Sequence, residues 1–165
     1  MKKVTATVTL PCTPEKFWSI YLDQTYAKGL YLEELKFKDY TVLEQTADAR
    51  KQRIVPKINL PGPIASLVGE SFAYEEHGAL DRPSGVWSWR MVQPKNVSAK
   101  PFLTTSGSTR VVADGEGRCR RTDEVNIEAK MFGIGGLIES TVEKEVRASW
   151  AKETAYFPRW LQSHA

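Results

Sequence analysis

Hydrophobic residues recur at every second position through most of this chain and at every fourth position near its end. At 4–10, Val, Ala, Val and Leu alternate with three threonines, a pattern typical of a strand with one buried face. Similar alternation predicts six more strands, at about 36–46, 49–58, 70–77, 86–93, 106–114 and 118–131. Turn residues separate them, and Asp114-Gly115-Glu116-Gly117 is a strong hairpin signal because glycine readily adopts positive φ. The pattern therefore predicts an antiparallel sheet.

Helical patterns occur twice near the start of the chain and once at its end. Thr13-Pro14 supplies an N-cap and a first-turn proline for one short helix. Asp23 can cap a second short helix, which should extend over about 26–32. A long helix is predicted after Gly136, where an apolar row has a spacing of four: Ile134, Ile138, Val142, Val146 and Trp150. Pro158 should kink or end this last helix.

Length and composition indicate one globular domain covering 1–165. Of the 165 residues, 41% are hydrophobic and 26% are charged, and no repeat or low-complexity tract divides them. The net charge of +3 is weakly basic, and the tight basic cluster around Arg120 is followed at once by acidic residues, which argues against a nucleic-acid site. Because we find no signal peptide and no apolar run of about 18 residues, we expect a cytoplasmic protein. Cys12 and Cys119 are expected to be reduced and buried.

Two stretches carry a resemblance to a known superfamily. The sequence 4–18 (VTATVTLPCTPEKFW) matches a strand followed by a capped helix, and 132–139 (FGIGGLIE) resembles a glycine-containing approach to a helix that carries a glutamate. Together with the order of elements, these stretches resemble the START-like (SRPBCC) superfamily over nearly the whole chain. That superfamily includes lipid-transfer domains, birch-pollen-allergen-like proteins and polyketide cyclases. The resemblance implies an α+β helix-grip fold, in which a curved seven-stranded antiparallel sheet wraps around a long C-terminal helix and leaves a cavity.

The resemblance also implies which side chains would line that cavity. Alternation places Trp87, Trp89 and Met91 on one strand face, and Phe72 and Tyr74 share their character on the neighbouring strand. Val125 and Ile127 on the last strand, and Ile138 and Val142 on the long helix, complete the candidate lining. Each of these residues could instead fill an ordinary core, since burial of apolar area is favourable whichever molecule supplies it.

Arg121 and Asp123 fall on the same face as Val125 and Ile127 when the alternation is extended upstream. They could form a polar anchor in the pocket or at its rim. The interpretation we favour from the sequence is that the strand end extends beyond the core and both side chains meet water, because a buried charge is costly unless it is paired.

Two segments could control access to a cavity. Gly133, Gly135 and Gly136 form either a plain corner between sheet and helix or a gate that lets the helix swing. The segment 60–69 has almost no charge and contains Ile64, Leu67 and Val68. We favour a short helix tucked into the core, and the alternatives are a lid or a probe of an anionic membrane surface.

Catalytic motifs are sparse. His77 and His164 begin no metal-ligand spacing, and the glycine cluster lacks the last glycine of a dinucleotide fingerprint, so no metal or cofactor is expected. The leading interpretation is non-enzymatic binding of a lipid or another hydrophobic small molecule. One alternative is an enzyme resembling polyketide cyclases, with Arg121, Asp123 and Tyr74 handling protons or carbonyl groups. The other is a ligand-free interaction module, which a cavity below about 300 Å³ would favour.

Overall fold

The computed structural model describes residues 1–59, 61–68, 72–93 and 102–165. Seven strands and four α-helices make up this part of the chain, together with a π-helical turn at Gly29–Glu34. The strands are β1 (Lys2–Leu10), β2 (Asp39–Gln45), β3 (Ala49–Val55), β4 (Tyr74–Asp81), β5 (Val86–Val92), β6 (Leu103–Ala113) and β7 (Cys119–Ala129). The helices are α1 (Pro14–Tyr21), α2 (Gln24–Lys28), α3 (Gly62–Val68) and α4 (Gly135–Ser163).

All seven strands form one antiparallel sheet in the order β1-β7-β6-β5-β4-β3-β2. The strands β2 to β7 lie side by side in chain order, and β1 forms the other edge by pairing with β7 from Lys2↔Ile127 to Leu10↔Cys119. The helix α4 packs against β7 and β1. The predicted helix-grip α+β fold is therefore confirmed, and the antiparallel pairing excludes the βαβ unit that a dinucleotide loop requires.

Local sequence signals explain the short helices. The Thr13 hydroxyl accepts a hydrogen bond from the Lys16 amide at 3.2 Å, and Asp23 accepts one from the Thr25 amide at 2.7 Å, so both predicted caps are present. The second predicted helix is shorter than expected, because regular α-helix ends at Lys28 and continues as the π-helical turn.

Several predicted boundaries differ from those in the structure. The strand predicted at 36–46 begins only at Asp39, after Lys36 adopts a left-handed φ of 57° that interrupts extended backbone. The strand predicted at 70–77 is displaced to Tyr74–Asp81. Of the two effects predicted for Pro158, ending the helix is wrong, because α4 continues to Ser163 and Trp160 and Leu161 pack on the core around α1, whereas a kink remains a prediction.

The interior is divided into two main hydrophobic clusters. The first contains α1 side chains such as Phe17 with Trp87 and Phe157, and it also holds the free thiols of Cys12 and Cys119, both buried as predicted. The second cluster joins the start of α4 to β1 and β7, and Ile64 of α3 is buried in it at 1% exposure. Trp89 packs against both clusters. No helix in the described ranges has the length and apolar character needed to cross a membrane.

Candidate functional site

A hollow of about 210 Å³ lies between the two clusters, with the sheet on one side and α4 on the other. Its aromatic wall comes from β5, with Trp87 and Trp89, and from Phe72 and Tyr74 at the start of β4. The α4 side of the wall alternates apolar with polar groups: Val142, Glu145, Val146, Ser149, Trp150 and Glu153. The sheet face and α4 therefore form two sides of the site, and Tyr21 of α1, Tyr26 of α2 and Tyr31 of the π-helical turn also line it.

Two glycines make room for the indole rings of this wall. Trp89 is paired directly with Gly78 of β4 on one side and with Gly107 of β6 on the other. A methyl group added at Gly107 would come within 2.8 Å of Trp89 Cζ2, and one added at Gly78 would come within 2.7 Å of Trp87 Nε1. Each indole ring thus lies over a glycine of a neighbouring strand, in space that a larger side chain would occupy.

A buried ion cluster forms one polar end of the hollow. Arg121 lies with its Nε 2.8 Å from Asp123 Oδ2 and its Nη2 2.9 Å from Glu153 Oε2. The Nε contact is an ion pair without hydrogen-bond alignment, whereas the Nη2 contact is a hydrogen bond. Asp123 also accepts a hydrogen bond of 2.6 Å from the Thr109 hydroxyl. The interpretation that Arg121 and Asp123 would meet water is therefore wrong, because α4 covers this end of β7 and supplies Glu153 as a second partner.

The charges of this cluster influence one another strongly. Burial opposes the charge of Arg121, but Glu153 and Asp123 outweigh that effect and hold the Arg121 pKa well above its ordinary value. Burial raises the pKa of Asp123 although Arg121 opposes the shift. With both carboxylates ionised, the cluster carries one net negative charge, and its guanidinium is already engaged on two sides.

A second polar group, centred on Glu76 of β4, also lines the hollow. Glu76 Oε1 accepts a hydrogen bond of 2.9 Å from Gln52 Nε2, and the Tyr40 hydroxyl donates to Gln52 Oε1 at 2.7 Å. Arg50 lies nearby at 4% exposure, with Nε donating to Gln45 Oε1 and Nη2 to the Tyr21 carbonyl. Burial raises the Glu76 pKa to about 7, which the Gln52 hydrogen bond and Arg50 only partly oppose. Near neutral pH this carboxyl group can therefore either hold or release a proton.

Nine of the eleven residues predicted to line a ligand pocket lie around this hollow, and their contact with a ligand remains a prediction. They are Phe72, Tyr74, Trp87, Trp89, Met91, Arg121, Asp123, Val125 and Val142. The other two, Ile127 and Ile138, are at most 1% exposed and pack within the second cluster, where β7 and the start of α4 are in close contact. Their apolar faces were predicted correctly, but they lie too far towards one end to reach the hollow.

The segments predicted to be a lid and a gate form the helix α3 and the corner that leads into α4. The favoured short helix in 60–69 is present as α3, with Ile64 in the core, whereas the side chains of Leu67 and Val68 lie outside the described part. Gly133 adopts a φ of 79°, and a side chain at Gly135 would approach the Ala129 carbonyl oxygen to 2.8 Å. Gly136 has open space around its Cα. Backbone conformation and close packing thus explain why glycine occupies positions 133 and 135 in this corner. A gating motion remains a prediction.

Sequence reasoning missed Glu76, Gln52, Arg50 and Glu153. The signal for the first three was the alternation itself: Glu76 follows Tyr74 by two positions on β4, and Arg50 and Gln52 share the buried face of β3 with Ile54. His77 and Glu75 lie on the opposite face and pair with each other at 2.8 Å. Glu153 had no comparable signal, because its role depends on where α4 crosses β7. No group of three or more metal-ligating side chains occurs in the described ranges.

The family described as "Protein of unknown function (DUF2505)" matches residues 5–161, and the chain belongs to it. No curated protein matches the sequence.

Solved structures with the same fold include proteins of several functions. One is the Zhui aromatase/cyclase from Streptomyces sp. R1128, with 14% identity, a TM-score of 0.68, and coverage of 92% of this chain and 88% of that one. Another is norcoclaurine synthase from Thalictrum flavum in complex with dopamine and hydroxybenzaldehyde, with 14% identity, a TM-score of 0.66, and 99% and 88% coverage. A START superfamily protein from Mycobacterium smegmatis has 14% identity, a TM-score of 0.60 and 99% coverage of both chains. These similarities confirm the START-like fold.

Proposed function

We propose that this member of the DUF2505 family binds a compact hydrophobic small molecule in the hollow between the sheet and α4. One observation carries the proposal: two well-packed clusters flank a space of about 210 Å³ that no side chain of the described residues fills. Protein interiors pack to the density of organic crystals and leave few voids larger than one water molecule. A space of this size, walled by aromatic rings, is therefore suited to a ligand.

The volume limits the kind of ligand. Pockets for drug-sized molecules usually have about 300–1,000 Å³, so by volume alone this hollow falls in the range that favoured a ligand-free module. Its lining supports the opposite conclusion, because a core evolved only to be filled would not place Glu76, Arg121 and Asp123 around an unfilled space. A compact ring compound satisfies both the volume and the lining better than a long-chain lipid does.

An enzyme acting on a carbonyl compound is the second candidate. The observation that favours it is the contact of 2.8 Å between Arg121 and Asp123, with Tyr74 and Glu76 lining the same hollow. The Zhui aromatase/cyclase is a fold neighbour, which makes linear polyketones reasonable substrates to test. Mass spectrometry would detect loss of water on ring closure. Binding without turnover would reject this candidate and leave the first intact.

Ligand binding can be tested with a matched pair of variants on α4. Ser149 lines the hollow, whereas the preceding Ala148 is exposed. Leucine at position 149 should fill part of the space and weaken binding of ring compounds about tenfold or more, since overpacking costs about 1–3 kcal/mol. Leucine at position 148 should leave the affinity unchanged. The assay is tryptophan fluorescence with a panel of mono- and bicyclic aromatic compounds.

Two outcomes would contradict the proposal. In one, no compound in the panel perturbs tryptophan fluorescence or raises the melting temperature of the unmodified protein. In the other, Ser149→Leu and Ala148→Leu have the same affinity as the unmodified protein. Transient contact of α3 with an anionic membrane and a cytoplasmic location remain predictions from the sequence.

A further inference from the structure

The charged side chains that line the hollow are predominantly acidic. Four are carboxylates, namely Glu76, Asp123, Glu145 and Glu153, whereas the carboxylate of Glu124 pairs with Lys3 on the outer face of the sheet. Three are cations, namely Arg50, Lys57 and Arg121. With all seven ionised, the lining carries a charge of −1, although the whole chain carries +3. A negatively charged recess with low-dielectric walls raises the local concentration of small cations.

Glu76 is the carboxylate in this lining with unused capacity. The guanidinium of Arg121 is occupied by Asp123 and Glu153, and Arg50 directs Nε and Nη2 to Gln45 and to the Tyr21 carbonyl. Glu76 Oε1 accepts from Gln52, whereas Oε2 has no hydrogen bond and no ion pair with any residue that the structure describes. A carboxylate held in the hollow with one oxygen unpaired is a site where a ligand donor would be strongly stabilised.

Tyrosine rings surround this carboxylate. Tyr21, Tyr31 and Tyr74 line the hollow with it. Burial is the main cause that raises the pKa of Tyr31 and of Tyr74, and the negative charge of Glu76 is the second cause, which reflects its proximity to both rings. The faces of aromatic rings attract cations, most strongly where water is excluded. A carboxylate among tyrosine rings is therefore suited to an ammonium group, while the partly exposed indole of Trp89 offers apolar surface to an attached ring.

We infer that the hollow selects a small aromatic amine, with its protonated nitrogen held by Glu76 Oε2 and the tyrosine rings and its ring against the indole wall. This inference rests on the proposed function, because it names the class of ligand that the same hollow would take. The uncommitted oxygen of Glu76 and the negative lining carry it together.

Binding of such a cation should depend on pH. The groups that face Glu76 are Gln52 and Arg50 on β3, Tyr21 on α1, Tyr31 on the π-helical turn, Met91 opposite on β5, and Glu153 on α4. Because burial raises the Glu76 pKa to about 7, the carboxyl group is mostly neutral at pH 5.5 and mostly charged at about pH 8. An amine remains protonated over this range, so its affinity should rise with pH, whereas that of a neutral analogue should not.

The test uses three probes with a similar body and different charge: phenethylamine, phenethyl alcohol and phenylacetate. Isothermal titration calorimetry at about pH 8 should show the amine binding about ten- to a hundredfold more tightly than the alcohol, the range expected for a hydrogen bond to a charged group. This preference should fall about tenfold at pH 5.5. Glu76→Gln should abolish the preference and keep the affinity for the alcohol. Glu75→Gln is the matched control, because Glu75 pairs with His77 on the opposite face.

The outcomes separate the two proposals. If the alcohol or phenylacetate binds at least as tightly as the amine at pH 8, the hollow is a ligand site but the inference about charge is wrong. If Glu76→Gln and Glu75→Gln change the amine affinity equally, Glu76 does not hold the amine. If none of the three probes binds and the ring-compound panel also fails, the proposed function is wrong as well. The pH profile of the unmodified protein tests the same inference without relying on a variant.

Discussion

Replacing Gly78 by alanine should disturb the indole wall without altering any polar group. The added methyl would lie 2.7 Å from Trp87 Nε1 and closer still to Cζ2 and Cε2, so the ring would have to retreat by more than the 0.7 Å that separates the Nε1 distance from an ordinary contact of 3.4 Å. Trp87 is 1% exposed and packs edge-to-face against Tyr21. It therefore cannot move without displacing its neighbours.

The magnitude follows from two opposing effects. Overpacking of a tight core costs about 1–3 kcal/mol. Gly78 does not adopt positive φ, so alanine fits the backbone and returns about 0.4–1 kcal/mol by restricting the unfolded chain. The free energy of unfolding should therefore fall by about 1–2 kcal/mol, which corresponds to a drop in melting temperature of about 2–8 °C for a domain of this size. Near-UV circular dichroism should change, because the environment of Trp87 changes.

Gly136→Ala is the matched control. Gly136 lies in the first turn of α4 with no heavy atom within 4 Å of an added methyl, so alanine there should be neutral or stabilising by up to about 1 kcal/mol. Urea unfolding followed by far-UV circular dichroism gives both values. If Gly78→Ala matches the unmodified protein in stability and in its near-UV spectrum, the indole ring of Trp87 does not pack directly against Gly78.

Two further predictions concern the buried charges. Arg121→Met should lower the free energy of unfolding by about 3–5 kcal/mol at pH 7, because Asp123 and Glu153 lose their shared cation. The same change at the exposed neighbour, Arg120→Met, should be nearly neutral. Equal urea midpoints for the two variants would contradict the buried cluster. Because burial raises the Glu76 pKa from 4.5 to about 7, the folded state binds more protons than the unfolded state in that window, and the protein should lose stability as pH rises through it. The Glu76→Gln variant has no carboxyl group to ionise, so its stability should not fall in this pH range, and above pH 7 it should be more stable than the unmodified protein by up to about 3 kcal/mol. Superimposable pH profiles of urea unfolding for the two proteins would refute this account.

The candidate site could be predicted in part because alternation assigns faces without knowledge of the partner strand. Trp87, Trp89, Met91 and Val125 were placed correctly on the covered face by their spacing alone. The same rule, applied to β3 and β4, would also have found Arg50, Gln52 and Glu76, had polar residues on an inward face been considered. The caps at Thr13 and Asp23 were predictable for a similar reason, since they depend on atoms only two or three residues away.

Other features depend on contacts between residues far apart in the chain. Arg121 and Asp123 are buried because α4 crosses the end of β7 and brings Glu153 to them, across a separation of 32 residues from Arg121. The hollow lies between two clusters that both contact Trp89, and its volume depends on how far α4 stands from the sheet. The amino-acid sequence by itself determined which side chains share a face, since the period of a strand is local. Only the tertiary structure decided what covers each face, because burial is set by the elements that pack across it.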